Sequence, residues 1–319
     1  MSQFQIRTDL ALEVRESFEG TNVEIKGVVL EKEYDKDRDV HITRVIIKNE
    51  EGAKAMGKPI GTYITLEAPN LQHPDTDYHR EVSVIMAKHI KELLPQKEDL
   101  SVIVIGLGND DVTADALGPM SVDNLCITRH ITKEYGKNVW GDENKISVSS
   151  LTPGVMAKTG METAEIVKGV IDETEPDVAI VIDSLAARST KRLNTTIQIT
   201  DTGINPGSGV GNHRSGLNKE TMEVPVIAIG VPTVVDAATI VSDTMDSLLA
   251  VLADSKELSS LANVIEKFND QEKHQLIREL LEPQIGTMYV TPKDIDETIK
   301  QLSFTVSEGL NMVFAGSHQ

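Results

Sequence analysis

The sequence predicts a three-layer α/β fold, with a mostly parallel central sheet flanked by helices and an antiparallel sheet extension near the N-terminus. From residue 101 onward, apolar runs of strand length alternate with helical periodicity, which is the pattern of βαβ crossovers in a parallel sheet. Before residue 71, three runs rich in Val, Ile and Thr are joined by short charged turns. Short connections of this kind favour antiparallel pairing.

The N-terminal extension is assigned to residues 22–70. Its three predicted strands are Val23–Leu30, Val40–Ile47 and Thr62–Leu66. The next segment, Asp75–Leu94, is predicted as a helix because its apolar residues recur every three to four positions.

The predicted core begins at Ser101–Ile105, whose unbroken apolar character indicates burial on both faces. The elements predicted after it are strands at Ile146–Leu151, Asp177–Ile182 and Val224–Ile229, and helices at Ala114–Lys133, Gly160–Glu173, Val234–Ala253 and Pro292–Met312. Residues 256–283 are predicted as a charged helical segment, a lid or an oligomer contact. No repeat or low-complexity linker divides the chain, so a single domain is the simplest architecture.

Composition limits the classes of partner. The 319 residues carry a formal net charge of −19, which argues against nucleic acid or an anionic membrane surface as the main partner. No apolar run approaches the ~18 residues that span a bilayer, and the first residues do not form a signal peptide. The single cysteine, Cys126, cannot form an internal disulfide, which favours a reducing, cytoplasmic compartment.

Carboxylates at the predicted strand ends are the main candidates for chemistry, because ligands bind beyond the carboxyl ends of parallel strands. Asp183 closes a buried apolar strand, where a carboxylate costs free energy unless it is paired or used. Asp115 is expected in the first turn of the helix that follows the strand Ser101–Ile105. Two such carboxylates facing one cleft can activate water without a metal or a nucleophilic side chain.

Other chemistries match the sequence less well. Gly106-Leu107-Gly108 begins a dinucleotide fingerprint, but Asp111 stands where the third glycine is required and would repel a phosphate. Zinc-protease and serine-nucleophile motifs are absent, so no metal and no cofactor is expected. A nucleotide-binding α/β module nevertheless stays open as an alternative.

Three further residues are candidates for supporting roles. Asn109 is expected either to stabilise an oxyanion by hydrogen bonding or to stabilise the turn in which it lies. The structural role in the turn is favoured. The planar guanidinium of Arg188 suits a substrate carboxylate, with a structural ion pair as the equal alternative. His213 lies in the glycine-rich segment 207–214, which is able to close over a substrate.

Five segments occur in a distinctive order: Arg7–Ala11, Gly106–Pro119, Asp183–Arg188, Asp201–Arg214 and Gly230–Ala237. Together they resemble the germination proteases of spore-forming bacteria, over nearly the whole chain. The resemblance implies an endopeptidase of the spore core that degrades small acid-soluble spore proteins and assembles as a homotetramer. It also implies an atypical aspartic mechanism in which Asp115 and Asp183 are catalytic.

The resemblance further implies a zymogen that removes its own propeptide. Members of the family cleave after an acidic residue and before an apolar one that Ala follows. Asp9-Leu10-Ala11 matches this preference, so we expect residues 1–9 to be the propeptide and 10–319 the peptidase domain.

The implied fold is similar to that of the hydrogenase-maturation peptidases, of the phosphorylase/hydrolase type. A metal-sensing peptidase of that class stays open as an alternative. Two departures from the family pattern are visible: Ala114 replaces the usual Pro, and Asp110-Asp111 replaces an aromatic residue. The second departure makes Asp111 a competitor of Asp115 for the role of acid.

Overall fold

The computed structural model describes residues 10–16, 25–136, 139, 146–206, 215–253, 277, 279 and 288–315. The predicted propeptide therefore lies outside the described residues, as does His213. Of the predicted lid, 256–283, only residues 277 and 279 are described, and both are helical.

The described residues form one mixed sheet of nine strands. Its strands are β1 (Val28–Asp35), β2 (Val40–Ile47), β3 (Gly61–Glu67), β4 (Ser101–Gly106), β5 (Ser147–Leu151), β6 (Val178–Ala187), β7 (Thr196–Thr200), β8 (Val226–Asp236) and β9 (Tyr289–Val290). Their order is β1-β2-β3-β7-β8-β6-β4-β5, and β9 pairs with β8. The extension and the core are thus halves of one sheet.

The predominance of parallel pairing is not confirmed. Strands β4, β5, β6 and β8 pair in parallel, as expected for βαβ crossovers. Strands β1, β2 and β3 are antiparallel, as predicted for the extension. Strand β7 was not predicted from the sequence, and it inserts antiparallel to both β3 and β8. Because β7 joins the two halves, antiparallel contacts extend to the centre of the sheet.

Helices cover both faces of the sheet. The described helices are α1 (Ala11–Glu16), α2 (Glu50–Met56), α3 (Thr76–Leu93), α4 (Leu117–Asp123), α5 (Arg129–Tyr135), α6 (Met156–Thr159), α7 (Thr163–Thr174), α8 (Lys219–Met222), α9 (Ala237–Ala253) and α10 (Ile295–Phe314). Apolar residues of α3, α4 and α10 pack with one face of the sheet in the larger core cluster. Residues of α7 and α8 pack with the opposite face.

Two predicted elements differ clearly from those observed. The first strand begins at Val28 rather than Val23 and includes Glu31–Asp35, a segment that is charged at every position except Tyr34. At the sheet edge, backbone pairing with β2 suffices and charged side chains are tolerated. The predicted helix Ala114–Lys133 is instead a 3-10 turn followed by two short helices, α4 and α5.

Among the described residues, no helix has the length and apolar character that a bilayer span requires.

Candidate active site

The sequence predicted Asp183 at the end of its strand. In the structure it lies inside strand β6, which continues to Ala187. Beyond the apolar run, β6 continues to pair with β8, and Asp183 lies opposite Gly230. The residue is only 7% exposed. Its Oδ1 accepts a hydrogen bond of 3.0 Å from the backbone N–H of Ser184. Cross-strand pairing therefore fixes the face of the sheet from which the Asp183 side chain projects.

The loop after β4 passes next to this position. The N–H of Leu107 donates to the carbonyl of Ile182, the residue before Asp183, over 2.8 Å. Gly106 packs directly on the start of α4, because a Cβ there would lie 2.4 Å from the carbonyl oxygen of Gly118. The space in front of this glycine is therefore filled by the chain's own backbone.

Gly108 permits the turn that presents Asp115. Its φ is +120°, and a Cβ would meet the carbonyl oxygen of Asp115 at 1.9 Å. Only glycine is compatible with both constraints. The Gly106–Gly108 segment thus serves a close approach of backbone to backbone, which leaves the nucleotide-phosphate alternative without support.

Asn109 closes the same turn with three hydrogen bonds. Its N–H donates to the carbonyl of Asp115 (3.1 Å), and its own carbonyl accepts from Val112 (3.0 Å). Its side-chain Oδ1 accepts from the N–H of Asp111 over 3.1 Å. Asp115 itself ends the 3-10 turn Thr113–Asp115 and is half-buried.

The 3-10 turn packs against both β6 and β8. The hydroxyl of Thr233, on β8 and fully buried, donates to the carbonyl of Ala114 over 2.6 Å. Asp115 and Asp183 consequently lie on contacting elements at the edge where β4 ends.

A family model described as germination protease matches residues 6–259 and 250–318. The chain belongs to the germination protease family. Its relatives include the germination proteases of Caldanaerobacter subterraneus subsp. tengcongensis, 52% identical over 309 residues (96% of this chain, 93% of the relative), and of Clostridium tetani, 46% identical over 309 residues (96% and 94%). That of Bacillus subtilis is 42% identical over 353 residues (98% and 94%).

Membership confirms the predicted class of activity. The chain is an endopeptidase, a hydrolase of peptide bonds, and its relatives are named for germination. The matching family is that of the germination proteases, and not a family of nucleotide-binding modules or of hydrogenase-maturation enzymes.

Asp110 and Asp111 of this protease lie at the surface. Lys158 pairs with Asp110 at 2.6 Å and with Asp111 at 2.7 Å, and both carboxylates are mostly exposed. The Lys158 ammonium lowers the pKa of Asp110, and the two hydrogen bonds raise the pKa of Lys158. Asp111 is thus held in a surface ion pair, apart from the buried position of Asp183.

The first described residues of the protease lie on the face of the sheet that carries Asp183. Asp183 lies opposite Gly230 of β8, and Gly230 lies opposite Gln198 of β7. Residues that lie opposite each other in a sheet share a face, so Gln198 and Asp183 are on the same face. Gln198 Oε1 accepts a buried hydrogen bond of 2.7 Å from the N–H of Ala11. Leu10, the residue after the predicted scissile bond, is fully buried.

Glu13 of α1 anchors the same segment to the end of β6. Its Oε2 accepts from the N–H of Arg188 over 3.3 Å, and its Oε1 lies 3.5 Å from the guanidinium of Arg192. Arg192 also donates to Glu67 over 3.0 Å. Glu13 is 3% exposed, so its pairing with Arg192 is buried, whereas the Glu67 side chain is 30% exposed.

Sequence reasoning missed both Gln198 and Glu13. The alternation of Ile197 and Ile199 with polar neighbours was the available sign of β7 and of the inward face of Gln198. No sequence pattern indicated the role of Glu13, because its partners Arg188 and Arg192 are distant in the chain. Within the described part of the chain, no group of three or more His, Cys, Asp and Glu residues is arranged to hold a metal ion.

Proposed function

We propose that the chain degrades small acid-soluble spore proteins during germination and that Asp115 and Asp183 activate the water that hydrolyses the peptide bond. The observation that carries the proposal is the buried position of Asp183 on β6, against which the turn ending at Asp115 packs. A carboxylate in such a place costs free energy unless it is used or paired.

The pair divides the two proton transfers of hydrolysis. One carboxylate takes a proton from water as the oxygen attacks the carbonyl carbon, and the other, in its acid form, protonates the leaving nitrogen as the C–N bond breaks. Asn109 supports this chemistry by holding the turn of Asp115. Arg188, directly after β6, and His213 are supporting residues in the same proposal.

We also propose that the chain is a zymogen that cleaves itself between Asp9 and Leu10. The contacts of α1 support this, because the chain after the bond already lies on the sheet face of Asp183. Location in the spore core, assembly as a homotetramer and a fold like that of the hydrogenase-maturation peptidases belong to the same proposal. Family membership supports them.

The test compares wild type, Asp183→Asn, Asp115→Asn and Asp111→Asn. Each is produced from a cleavable fusion that leaves Leu10 as the first residue, so that self-processing is not required. The substrate is a spore-protein peptide with one Glu-Ile bond, with and without EDTA. We expect both proposed catalytic variants to lose about 10²–10⁴ in kcat, and Asp111→Asn and EDTA to leave cleavage within about twofold, below the ~10²-fold of a lost catalytic group.

Each contrary result has a definite meaning. Full activity of Asp183→Asn would refute the aspartate pair although the protease activity stands. Loss of cleavage in EDTA would make the carboxylates metal ligands. A large loss in Asp111→Asn with an active Asp115→Asn would transfer the acid role to Asp111.

A further inference from the structure

Strand β5 forms one edge of the sheet, and β1 forms the other. The two edges differ in how they are protected from pairing with another chain. Strand β1 carries the charged residues Glu31, Lys32, Glu33 and Asp35, and charged side chains on an edge strand oppose such pairing. Strand β5 has the sequence Ser-Val-Ser-Ser-Leu, so this protection is absent from its edge.

The backbone groups of β5 point alternately toward β4 and toward the open edge. The N–H of Ser147 donates over 2.9 Å to the carbonyl of the residue before β4. Val148 faces the other way, because its carbonyl accepts from the N–H of Thr128 (3.0 Å) and its N–H donates to Thr128 Oγ1 (2.9 Å). Since successive residues of a strand alternate in direction, Ser149 faces β4 and Ser150 faces the open edge.

The contacts of Thr128 end before Ser150. The Thr128 hydroxyl also donates to the carbonyl of Ile146 over 3.1 Å, so Thr128 occupies the edge from Ile146 to Val148. Within the described residues, no group bonds to the outward N–H or C=O of Ser150, which is partly exposed. An unpaired N–H and C=O on an edge strand are a template for an added strand.

The open end of β5 lies beside the proposed catalytic centre. Leu151 pairs with Ile105 of β4, and Ile105 leads directly into the turn Gly106–Asp115. Asp183 lies on β6, two strands from β5, which is roughly 10 Å across the sheet. About three residues of extended chain, at roughly 3.3 Å each, connect a strand paired at Ser150 with a bond at Asp183.

Large apolar side chains are exposed at the same end of the sheet. Met156 of α6 is 47% exposed, and Val112, in the turn that precedes Asp115, is 49% exposed. Lys158 of α6 pairs with two carboxylates of that turn at 2.6 and 2.7 Å, which links the two segments. Exposed apolar surface of this kind is suited to the side chains of a bound polypeptide.

We infer that the edge of β5 at Ser150 binds the substrate backbone as an added strand and so positions the chain for cleavage at Asp115 and Asp183. The chain is an endopeptidase and binds polypeptide. Thr128 leaves open only the last residues of β5, which suits one peptide strand better than the large contact of a stable dimer. The inference rests on the proposed function, because it takes the bond to be cut by the aspartate pair.

An amide-to-ester scan of the substrate tests backbone pairing without changing the protein. The full chain is incubated until its N-terminal sequence is constant. The spore-protein peptide with one Glu-Ile bond is prepared as a series in which each other amide is replaced in turn by an ester, which lacks the N–H. We expect one ester, or two that are separated by an insensitive position, to reduce kcat/KM about threefold to tenfold. Only every second residue of an added strand directs its backbone groups at the neighbouring strand.

Ser150→Pro locates this pairing on β5. Proline removes the outward N–H, and it is tolerated where the N–H of an edge strand faces solvent. The variant should reduce kcat/KM about tenfold, mostly through KM, and raise by a similar factor the Kd of a peptide whose scissile amide is N-methylated. The ester that impairs cleavage by wild type should have little further effect in this variant, because both changes remove the same pairing.

Ser150→Ala is the matched control, since it removes the hydroxyl and keeps the backbone N–H. It should bind and cleave the peptide within about twofold of wild type, less than the loss expected for a backbone hydrogen bond. Denaturant titration of both variants shows that they are folded, and light scattering gives their oligomeric state.

The inference is overturned if no ester away from the scissile bond impairs cleavage, whether or not Ser150→Pro folds. It is also overturned if folded Ser150→Pro binds the peptide like wild type, and a lower oligomeric state with unchanged Kd would assign the edge to a second copy. Full activity of Asp183→Asn with the ester and proline effects intact would refute the aspartate pair and leave the edge in place. Loss of activity in Asp183→Asn without those effects would refute the edge alone.

Discussion

The backbone N–H of Ala11 donates a 2.7 Å hydrogen bond to Gln198 Oε1, and Gln198 lies two strands along the sheet from Asp183. Two strand spacings amount to roughly 10 Å. The segment that follows the predicted scissile bond is therefore attached to the same surface that we propose for substrate. Substrate and N-terminal segment would share contacts, which makes the anchoring residues testable.

Gln198→Leu should slow scission between Asp9 and Leu10. The variant leaves the buried N–H of Ala11 without its acceptor, at a cost of about 1–3 kcal/mol, so the segment is held less often in position. The measurement is the rate at which the mature N-terminus appears, followed by intact-mass spectrometry. Gln96→Leu is the control, since Gln96 is exposed and its amide donates to the nearby carbonyl of Leu94. Equal processing rates in both variants would show that the hydrogen bond from Ala11 to Gln198 does not position the peptide bond between Asp9 and Leu10.

Glu13→Gln should destabilise the docking of α1. The change removes the negative charge that faces Arg192 in a buried network, while Glu67 still pairs with that guanidinium. We expect a loss of about 1–3 kcal/mol in the free energy of unfolding and faster amide exchange in residues 10–16. Both are measured on the full chain, by denaturant titration and by hydrogen exchange.

The matched control for Glu13→Gln is Glu51→Gln. Glu51 pairs with Lys26 at the surface, where both side chains are mostly exposed, and such pairs contribute little. The control should therefore unfold like wild type. A stability loss shared equally by the two variants would mean that burial of the Glu13 network is not the cause.

Gly108→Ala should misplace Asp115. A Cβ at this residue meets the carbonyl oxygen of Asp115 at 1.9 Å, and the backbone has a φ of +120°, so the turn must shift. A displacement of about 1 Å is enough to reduce kcat by about 100-fold. Gly169→Ala is the control, because Gly169 is exposed on α7 with no atom within 4 Å of the new Cβ. There, the gain in helix propensity should stabilise the chain by about 0.5–1 kcal/mol.

Kinetics and denaturation of both glycine variants check this expectation. If Gly108→Ala keeps the wild-type kcat, the turn tolerates a side chain and Asp115 is not held by it. The mature form with Leu10 as first residue is used, so that a processing defect is not mistaken for a catalytic one.

Where hydrophobic pattern decides the structure, the sequence predicted the fold closely. The strand Val40–Ile47 has the predicted bounds, and the predicted helix Asp75–Leu94 is observed as Thr76–Leu93. The apolar face of the helix is buried in the larger core cluster, and the buried apolar residues of the strand are divided between that cluster and a smaller one. The predicted pairing of adjacent N-terminal strands also follows from short connections.

What the sequence did not predict depends on partners distant in the chain. Strand β7 exists because β3 and β8 offer it pairing on both sides, and the extension of β6 past Asp183 depends on β8. The buried hydrogen bond from Ala11 to Gln198 joins residues that are 187 positions apart. Periodicity reports which face of an element is apolar, but it does not report which elements meet.

Two buried histidines should make the protein less stable as the pH falls through about 6.5. Burial lowers the pKa of both His79 and His89, so the unfolded chain binds more protons than the folded one below that pH. The free energy of unfolding should therefore fall from about pH 7 to about pH 5. Carboxylates with lowered pKa values affect stability in a separate window, below about pH 4.

His89→Gln should flatten this pH dependence. The ring lies against Arg44 and Glu92, and its replacement removes one group that the unfolded chain protonates more readily. The free energy of unfolding is measured by urea titration at several pH values for wild type, His89→Gln and the exposed-site control His130→Gln. The control should retain the wild-type slope, because His130 is exposed and its replacement leaves the buried contacts of His89 intact. An unchanged slope in His89→Gln would mean that the native state accepts a proton at His89 without cost, contrary to its burial.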